Sequence, residues 1–185
     1  MAAVFTTPSS AVLLAPLHIL SFSALLGTEL YQSFVVTKIC FTSLTRPTFM
    51  SLQKRLFPVY FRTQSLLLLL TAVTIPPYGP LSLVAKKGTW IPLLVASATA
   101  LLNLVVYGPR TSRLMLERAH RGTSNKPDND NDDPEEVEAR SAEMQRLKRS
   151  FSRSHAMSIH LNLIAIAATV WWGWKLGSLL DFKTD

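Results

Sequence analysis

Four stretches of this chain hold no Asp, Glu, Lys or Arg: residues 1–28, 63–85, 88–109 and 154–174. About 20 mostly apolar residues suffice to carry a helix across a hydrocarbon layer of about 30 Å, and each stretch is long enough. In lipid, every backbone N–H and C=O must be paired within the chain, which leaves helices or closed barrels. The runs are continuously apolar, as helices are, and four of them in 185 residues exclude an ordinary soluble fold. The fold class this predicts is all-α: a polytopic membrane protein with four transmembrane helices forming a single domain over 1–185.

The spans are predicted at about 13–36, 58–75, 90–108 and 155–174. Pro76-Pro77-Tyr78-Gly79-Pro80 ends the second, because a residue before proline is pushed out of the α region. Gly108-Pro109 ends the third, in which Ala96 and Ala100 form a small-xxx-small pair suited to close helix approach. The loop 38–57 carries Thr45-Arg46-Pro47, a helix-start signal, then Phe49, Leu52 and Leu56 on one stripe. This reads as an amphipathic helix on the membrane surface between spans one and two. The long polar loop 110–153 holds nine of the twelve acidic residues and ten of the nineteen basic ones. Its middle, 122–134, lacks large apolar side chains and is expected to be a disordered linker. Beyond it, Asp133-Pro134-Glu135-Glu136 reads as a capped helix start.

Lys and Arg are distributed unevenly about the spans. The loop between spans one and two and the 110–153 segment together carry 15, and the remaining segments carry 4. Cytosolic segments collect positive charge, so the long loop is expected in the cytosol and both termini opposite. Trp90, Trp171, Trp172 and Trp174 then share one interface, as an aromatic belt would. There is no basic n-region before Lys38, as a secretory signal would need, and no early arginine, as a mitochondrial presequence would need. The expected location is the endoplasmic reticulum or another endomembrane, with the mitochondrial outer membrane as the alternative. The net charge of +7 follows the spans and forms no separate basic domain, so no nucleic-acid partner is expected.

Glu29 is the only acidic residue before Glu117, and it lies inside a span, where an ionisable group is a functional hypothesis by default. His18, eleven residues earlier, shares its helix face, as do Gln32 and Ser33. Asn103 in span three and Asn162 in span four fall within roughly 3–4 Å of the depth of Glu29 at about 1.5 Å per residue. A buried polar layer joining spans one, three and four is expected, with span two packing through leucines. In span four, Phe151, His155, Ser158 and Asn162 share a face, and His160 lies opposite. His155 and Arg110 are expected to join Asn103 and Asn162 in one cluster at the cytosolic end, suited to an anionic headgroup or phosphate. The alternative reading is interhelical glue, averaging about 0.6 kcal/mol per bond. His18, Glu29, Gln32, Asn103, Arg110, His155 and Asn162 are the candidate ligand-binding residues.

No catalytic residue, metal site or cofactor is expected. No G-x-S-x-G, H-E-x-x-H or GxxxxGK[ST] occurs. Four histidines are too few for a His-rich di-iron membrane hydroxylase, and the single cysteine, Cys40, allows no internal disulfide. Cys40 sits at a helix end as a palmitoylation candidate. The acidic run Asp128–Glu138 lacks the central Gly of an EF-hand loop and reads as a solvated linker.

The sequence resembles the transmembrane protein 205 family. The resemblance is carried by His18, Gly27, Phe34, Arg46-Pro47-Thr48-Phe49, Gln53 and Leu56-Phe57-Pro58-Val59-Tyr60-Phe61. Asn103 with Pro109-Arg110-Thr111, and Leu147, Phe151, His155, Ser158 and Asn162-Leu163, extend it to span four. The Asp/Asn-rich insert 122–134 is particular to this chain and suggests a fungal-type member. The resemblance implies a small four-span protein of unestablished activity. It does not require an acid at position 29, which moves weight toward His18, Arg110, His155 and Asn162. Two functions are expected to compete: a non-enzymatic scaffold or adaptor in an intracellular membrane, or an oligomeric transporter or lipid- or solute-binding protein using the polar layer. The partners expected are the bilayer, anionic lipid headgroups, and a second copy or another membrane protein.

Overall fold

The computed structural model describes residues 10–82, 88, 90–124 and 134–178. Helices account for nearly all of them, and four are long and apolar enough to cross a membrane: Val12–Ser43, Arg46–Val73, Ile91–Gly122 and Glu135–Gly177. They form an up-down-up-down ring in which each span packs on its neighbours in sequence and span four closes on span one. Short connections between antiparallel neighbours give this topology.

Span one comprises α1 (Ser10–Leu30), a π-helical segment (Tyr31–Val36) and α2 (Thr37–Ser43). Both the N–H and the hydroxyl of Thr37 reach the Gln32 carbonyl, five residues back, the hydroxyl at 2.8 Å. The break before span two is only Leu44-Thr45. α3 then runs unbroken from Arg46 to Val73 with Pro47 in its first turn. The loop expected over 38–57 is therefore mostly helix, and the surface helix expected at 47–56 is the first part of α3. The basic residues of this stretch, Lys38, Arg46, Lys54 and Arg55, are exposed on the two helices that meet there. Pro58 lies inside α3, where its missing N–H leaves the Lys54 carbonyl without its usual donor. The turn after α3 needs Gly79 at φ 64°, and the Gly79 N–H closes on the Ile75 carbonyl at 2.7 Å.

Span three shows a second departure. α4 (Ile91–Leu102) passes into a π-helical segment (Asn103–Tyr107) and continues as α5 (Gly108–Ser124). Gly108-Pro109 was expected to end it. A proline ring collides with the carbonyl four residues earlier in an α-helix. The widened turn, with the Gly108 N–H bonded to the Asn103 carbonyl, relieves that conflict and lets the helix continue. Gly108 also sits under Phe61, whose ring would lie 3.3 Å from an added Cβ.

α6 (Pro134–Gly177) opens with Pro134, Glu135 and Glu136 as expected. Its 44 residues measure about 66 Å at about 1.5 Å each, roughly twice the hydrocarbon thickness. The polar loop is thus largely a pair of helices, α5 and the first half of α6, packed together beyond the bundle. Gly122–Ser124 complete α5, and the rest of the expected linker, 125–133, lies outside the described residues.

The apolar core is narrow. Leu25, Leu68, Ala96, Ala100 and Ala168 form one cluster, and Ile75, Leu93 and Trp172 a second, with Phe22 against it. The small residues Ala96, Ala100 and Ala168 let spans three and four approach closely. Large apolar side chains face outward instead, among them Leu20, Leu66, Leu69, Val105 and Leu163, as lipid contact requires.

Candidate functional site

Polar side chains fill two levels of the bundle interior. At the end opposite the helical arm, His18 is buried between spans two and four. Its Nδ1 is 2.9 Å from the Thr71 carbonyl, and its Nε2 is 3.2 Å from the Trp172 indole nitrogen. An indole N–H only donates, so Nε2 accepts and the proton lies on Nδ1, directed at the carbonyl. Thr71 at the end of span two and Thr74 just beyond it are buried at this level.

Eleven residues further along span one, about 16 Å at about 1.5 Å per residue, lies Glu29. Gln64 Nε2 donates to Glu29 Oε1 at 2.8 Å. The Thr169 hydroxyl of span four and Tyr60 of span two also lie near this carboxyl. Beside them, the Tyr60 hydroxyl donates to Asn162 Oδ1 at 2.7 Å, and Asn162 Nδ2 donates to Ser33 Oγ at 2.9 Å. Spans one, two and four are tied together here. Asn103 joins spans three and four by donating to the Ser158 carbonyl at 3.0 Å. Nearer the arm, the Thr111 and Ser154 hydroxyls meet at 2.9 Å.

The polar layer inferred from helix depth therefore exists, with a different membership. Span two, expected to contribute leucines alone, supplies Tyr60 and Gln64, the direct partners of Asn162 and Glu29. Gln53, Tyr60, Gln64, Leu68 and Thr71 are all buried, and their 7-4-4-3 spacing is one helical stripe. That stripe was visible in the sequence, but the five-leucine run beside it dominated the reading. Thr169 and Trp172 were missed for a related reason. The WWxW cluster reads as an interfacial belt, yet Trp172 alone turns inward while Trp171 and Trp174 stay exposed.

His18, Glu29, Gln32 and Asn103 are buried and Asn162 is half-buried. His18 and Glu29 share a face but belong to separate levels. The cluster expected of Asn103, Arg110, His155 and Asn162 is not formed. Arg110 and His155 are exposed, and no hydrogen bond joins them among the described residues. His155 stacks on Phe151 with ring centroids 5.5 Å apart, and Arg118, not Arg110, covers the same Phe151 ring at 5.1 Å. The angular argument placed these residues on a common face. Asn103 and Asn162 instead meet partners other than each other, Asn103 the Ser158 carbonyl and Asn162 the Tyr60 and Ser33 hydroxyls.

At the opposite end, an apolar surface groove of about 570 Å³ runs between spans one and four past Phe22, Leu26, Val170 and Gly173. Lys175 closes the end of span four onto the connection before span three by donating to the Gly88 carbonyl at 3.1 Å. No cluster of three or more His, Cys, Asp or Glu side chains occurs among the described residues.

A ring of four membrane-length helices with hydrogen-bonded polar side chains inside defines a multi-pass integral membrane protein. Residues 20–120 match a domain of unknown function, DUF4149, and the chain belongs to that family. The match includes Glu29, Gln32, Gln64, Asn103 and Arg110 and stops short of span four. Over 180 residues the chain is 43% identical to the Xanthocillin biosynthesis cluster protein D of Aspergillus fumigatus, covering 97% of each. No solved structure matches it.

Proposed function

We propose that this protein is a non-enzymatic membrane scaffold of a biosynthetic pathway, holding a soluble enzyme of that pathway at an endomembrane such as the endoplasmic reticulum. The observation that carries the proposal is the helical arm. α5 and the first half of α6 continue beyond the bundle as a packed pair. The Arg121–Glu143 ion pair and the Arg118 guanidinium over Phe151 tie them together. The 15-to-4 distribution of Lys and Arg favours a cytosolic arm, and its exposed, mixed-charge surface suits a protein partner better than lipid. The Aspergillus relative's name supplies the link to biosynthesis. The resemblance to the transmembrane protein 205 family agrees with the four-span architecture.

A second reading, a transporter or solute-binding protein working as an oligomer, draws on the buried Glu29 level. An ionisable side chain is costly there and is retained most often for a purpose.

The two readings part in one experiment. Exposed arm residues Arg113, Glu117, Glu138 and Arg146 are reversed in charge in the producing cell. The membrane-bound fraction of each pathway enzyme is then measured together with product output. Loss of one enzyme from the membrane with reduced output is expected. Unchanged enzyme distribution would defeat the scaffold reading, and export lost through Glu29→Gln with the enzymes still in place would favour transport.

A further inference from the structure

The Glu29 level has a surplus of oxygen atoms that the fold leaves unused. Glu29, Gln64 and Thr169 are each 0% exposed. Glu29 Oε2, Gln64 Oε1 and Thr169 Oγ1 make no hydrogen bond of ordinary length, the Thr169 hydroxyl reaching only toward the Glu29 carboxyl, and each oxygen is a competent acceptor. They come from three helices, spans one, two and four. The Gln64–Glu29 bond at 2.8 Å holds the amide against the carboxyl, and Thr169 lies close to the same carboxyl. A buried polar atom left unpaired is costly, and the second carboxyl oxygen, with the Gln64 amide and the Thr169 hydroxyl against the same carboxyl, is a set of oxygens without a positive partner.

Charge points the same way. No Lys or Arg is buried among the described residues, so the carboxylate has no cationic side chain inside the bundle. Isolated charge in a low-dielectric interior is strongly disfavoured. The donor set also selects the class of ion. Calcium and magnesium favour sites with more carboxylates and waters than this single acid provides. Zinc and its neighbours favour imidazole or thiolate, and His18, the nearest buried imidazole on span one, is already occupied by Thr71 and Trp172. One carboxylate with an amide carbonyl and a hydroxyl neutralises a single positive charge. Secondary transporters hold sodium where a helix is interrupted, using backbone carbonyls freed at the break. Here the π-helical segment of span one begins two residues after Glu29, and such segments recur at functional sites.

We infer that Glu29, Gln64 and Thr169 form a binding site for one monovalent metal cation inside the four-helix bundle. The half-buried Ser33 and Asn162 lie on its flank at the seam between spans one and four, which gives an ion a polar approach from that side. A bound cation ties the three helices together and adds stability to the ring. The site is independent of the arm and of any partner the arm holds.

The test uses the full chain in mild detergent at fixed pH and ionic strength, with melting temperature read in choline, sodium and potassium chloride. A saturable rise of about 5–10 °C in one or both alkali salts over choline is expected at about a hundredfold excess over Kd. Glu29→Gln is expected to abolish that rise. Thr169→Val, which keeps the side-chain shape, is expected to move its midpoint about tenfold to higher salt and decides the matter if Glu29→Gln does not fold. Equal melting of the wild type in all three salts would overturn the proposal and leave Glu29 as a protonated, hydrogen-bonded side chain. An alkali-salt response unchanged in Thr169→Val would also overturn it, by placing the ion elsewhere.

Discussion

The Trp172 indole donates to His18 Nε2 across 3.2 Å while the two rings meet edge to face at 79°, their centroids 5.7 Å apart. This single contact joins the beginning of the first span to the end of the last. Trp172→Phe keeps most of the ring volume but removes the donor and strands a buried acceptor. It is expected to lower stability by about 1 kcal/mol, between the average of about 0.6 and the maximum of about 1.7 found for interhelical bonds in membranes. Unfolding in graded denaturing detergent measures it. A double-mutant cycle with His18→Phe should show the two losses to be non-additive.

Gly173 faces Phe22 across the seam between spans one and four. A Cβ at Gly173 would lie 2.5 Å from Phe22 Cζ, closer than carbon atoms approach. Gly173→Ala is expected to cost about 1–3 kcal/mol through overpacking. Phe22→Leu in the same chain should recover part of that loss, and thermal melting of the single and double variants tests both statements. A Gly173→Ala protein melting like wild type would mean this seam is looser than described.

The two interior asparagines should respond differently to leucine. Asn162 makes two side-chain bonds, to Tyr60 and Ser33, and Asn162→Leu leaves both hydroxyls without it. A loss of about 1–2 kcal/mol is expected. Asn103 makes one bond, to a carbonyl, and carries an unpartnered Oδ1. Asn103→Leu removes that stranded oxygen together with the bond, so its effect should stay within about 1 kcal/mol. Equal losses for the two variants would contradict the bonding pattern.

Exactly one span separates Glu138 in the arm from Ser178 past the end of span four. In a Cys40→Ser background, cysteines placed at 138 and 178 should label from opposite sides of sealed membrane vesicles. Labelling of both from one side would remove span four from the topology.

Sequence alone determined the number of spans, their order and the depth of the polar residues. These follow from local chemistry. Charge is excluded from about 20 residues at a time by the hydrocarbon, and rise per residue converts position into depth without knowledge of any partner. The start of α6 at Pro134 was legible for the same reason, since a helix cap is a property of adjacent residues.

Partnership was decided by the tertiary structure. Glu29 and Asn162 were identifiable as interior polar residues, but nothing in their spacing says that Gln64 and Tyr60 of span two would meet them. Nor could it show that Trp172 would leave its belt for His18. Helix periodicity fixes an angle about each helix's own axis. How the four helices rotate against one another depends on interlocking surfaces such as Phe22 on Gly173 and Phe61 on Gly108. The two π-helical turns add local shifts of register that a uniform period of about 3.6 residues cannot anticipate. Arg110 and His155 show the consequence: they lie near the arm end of neighbouring spans, as their positions require, and stay exposed and unbonded to each other because the helices turn the Thr111–Ser154 pair into the interface instead.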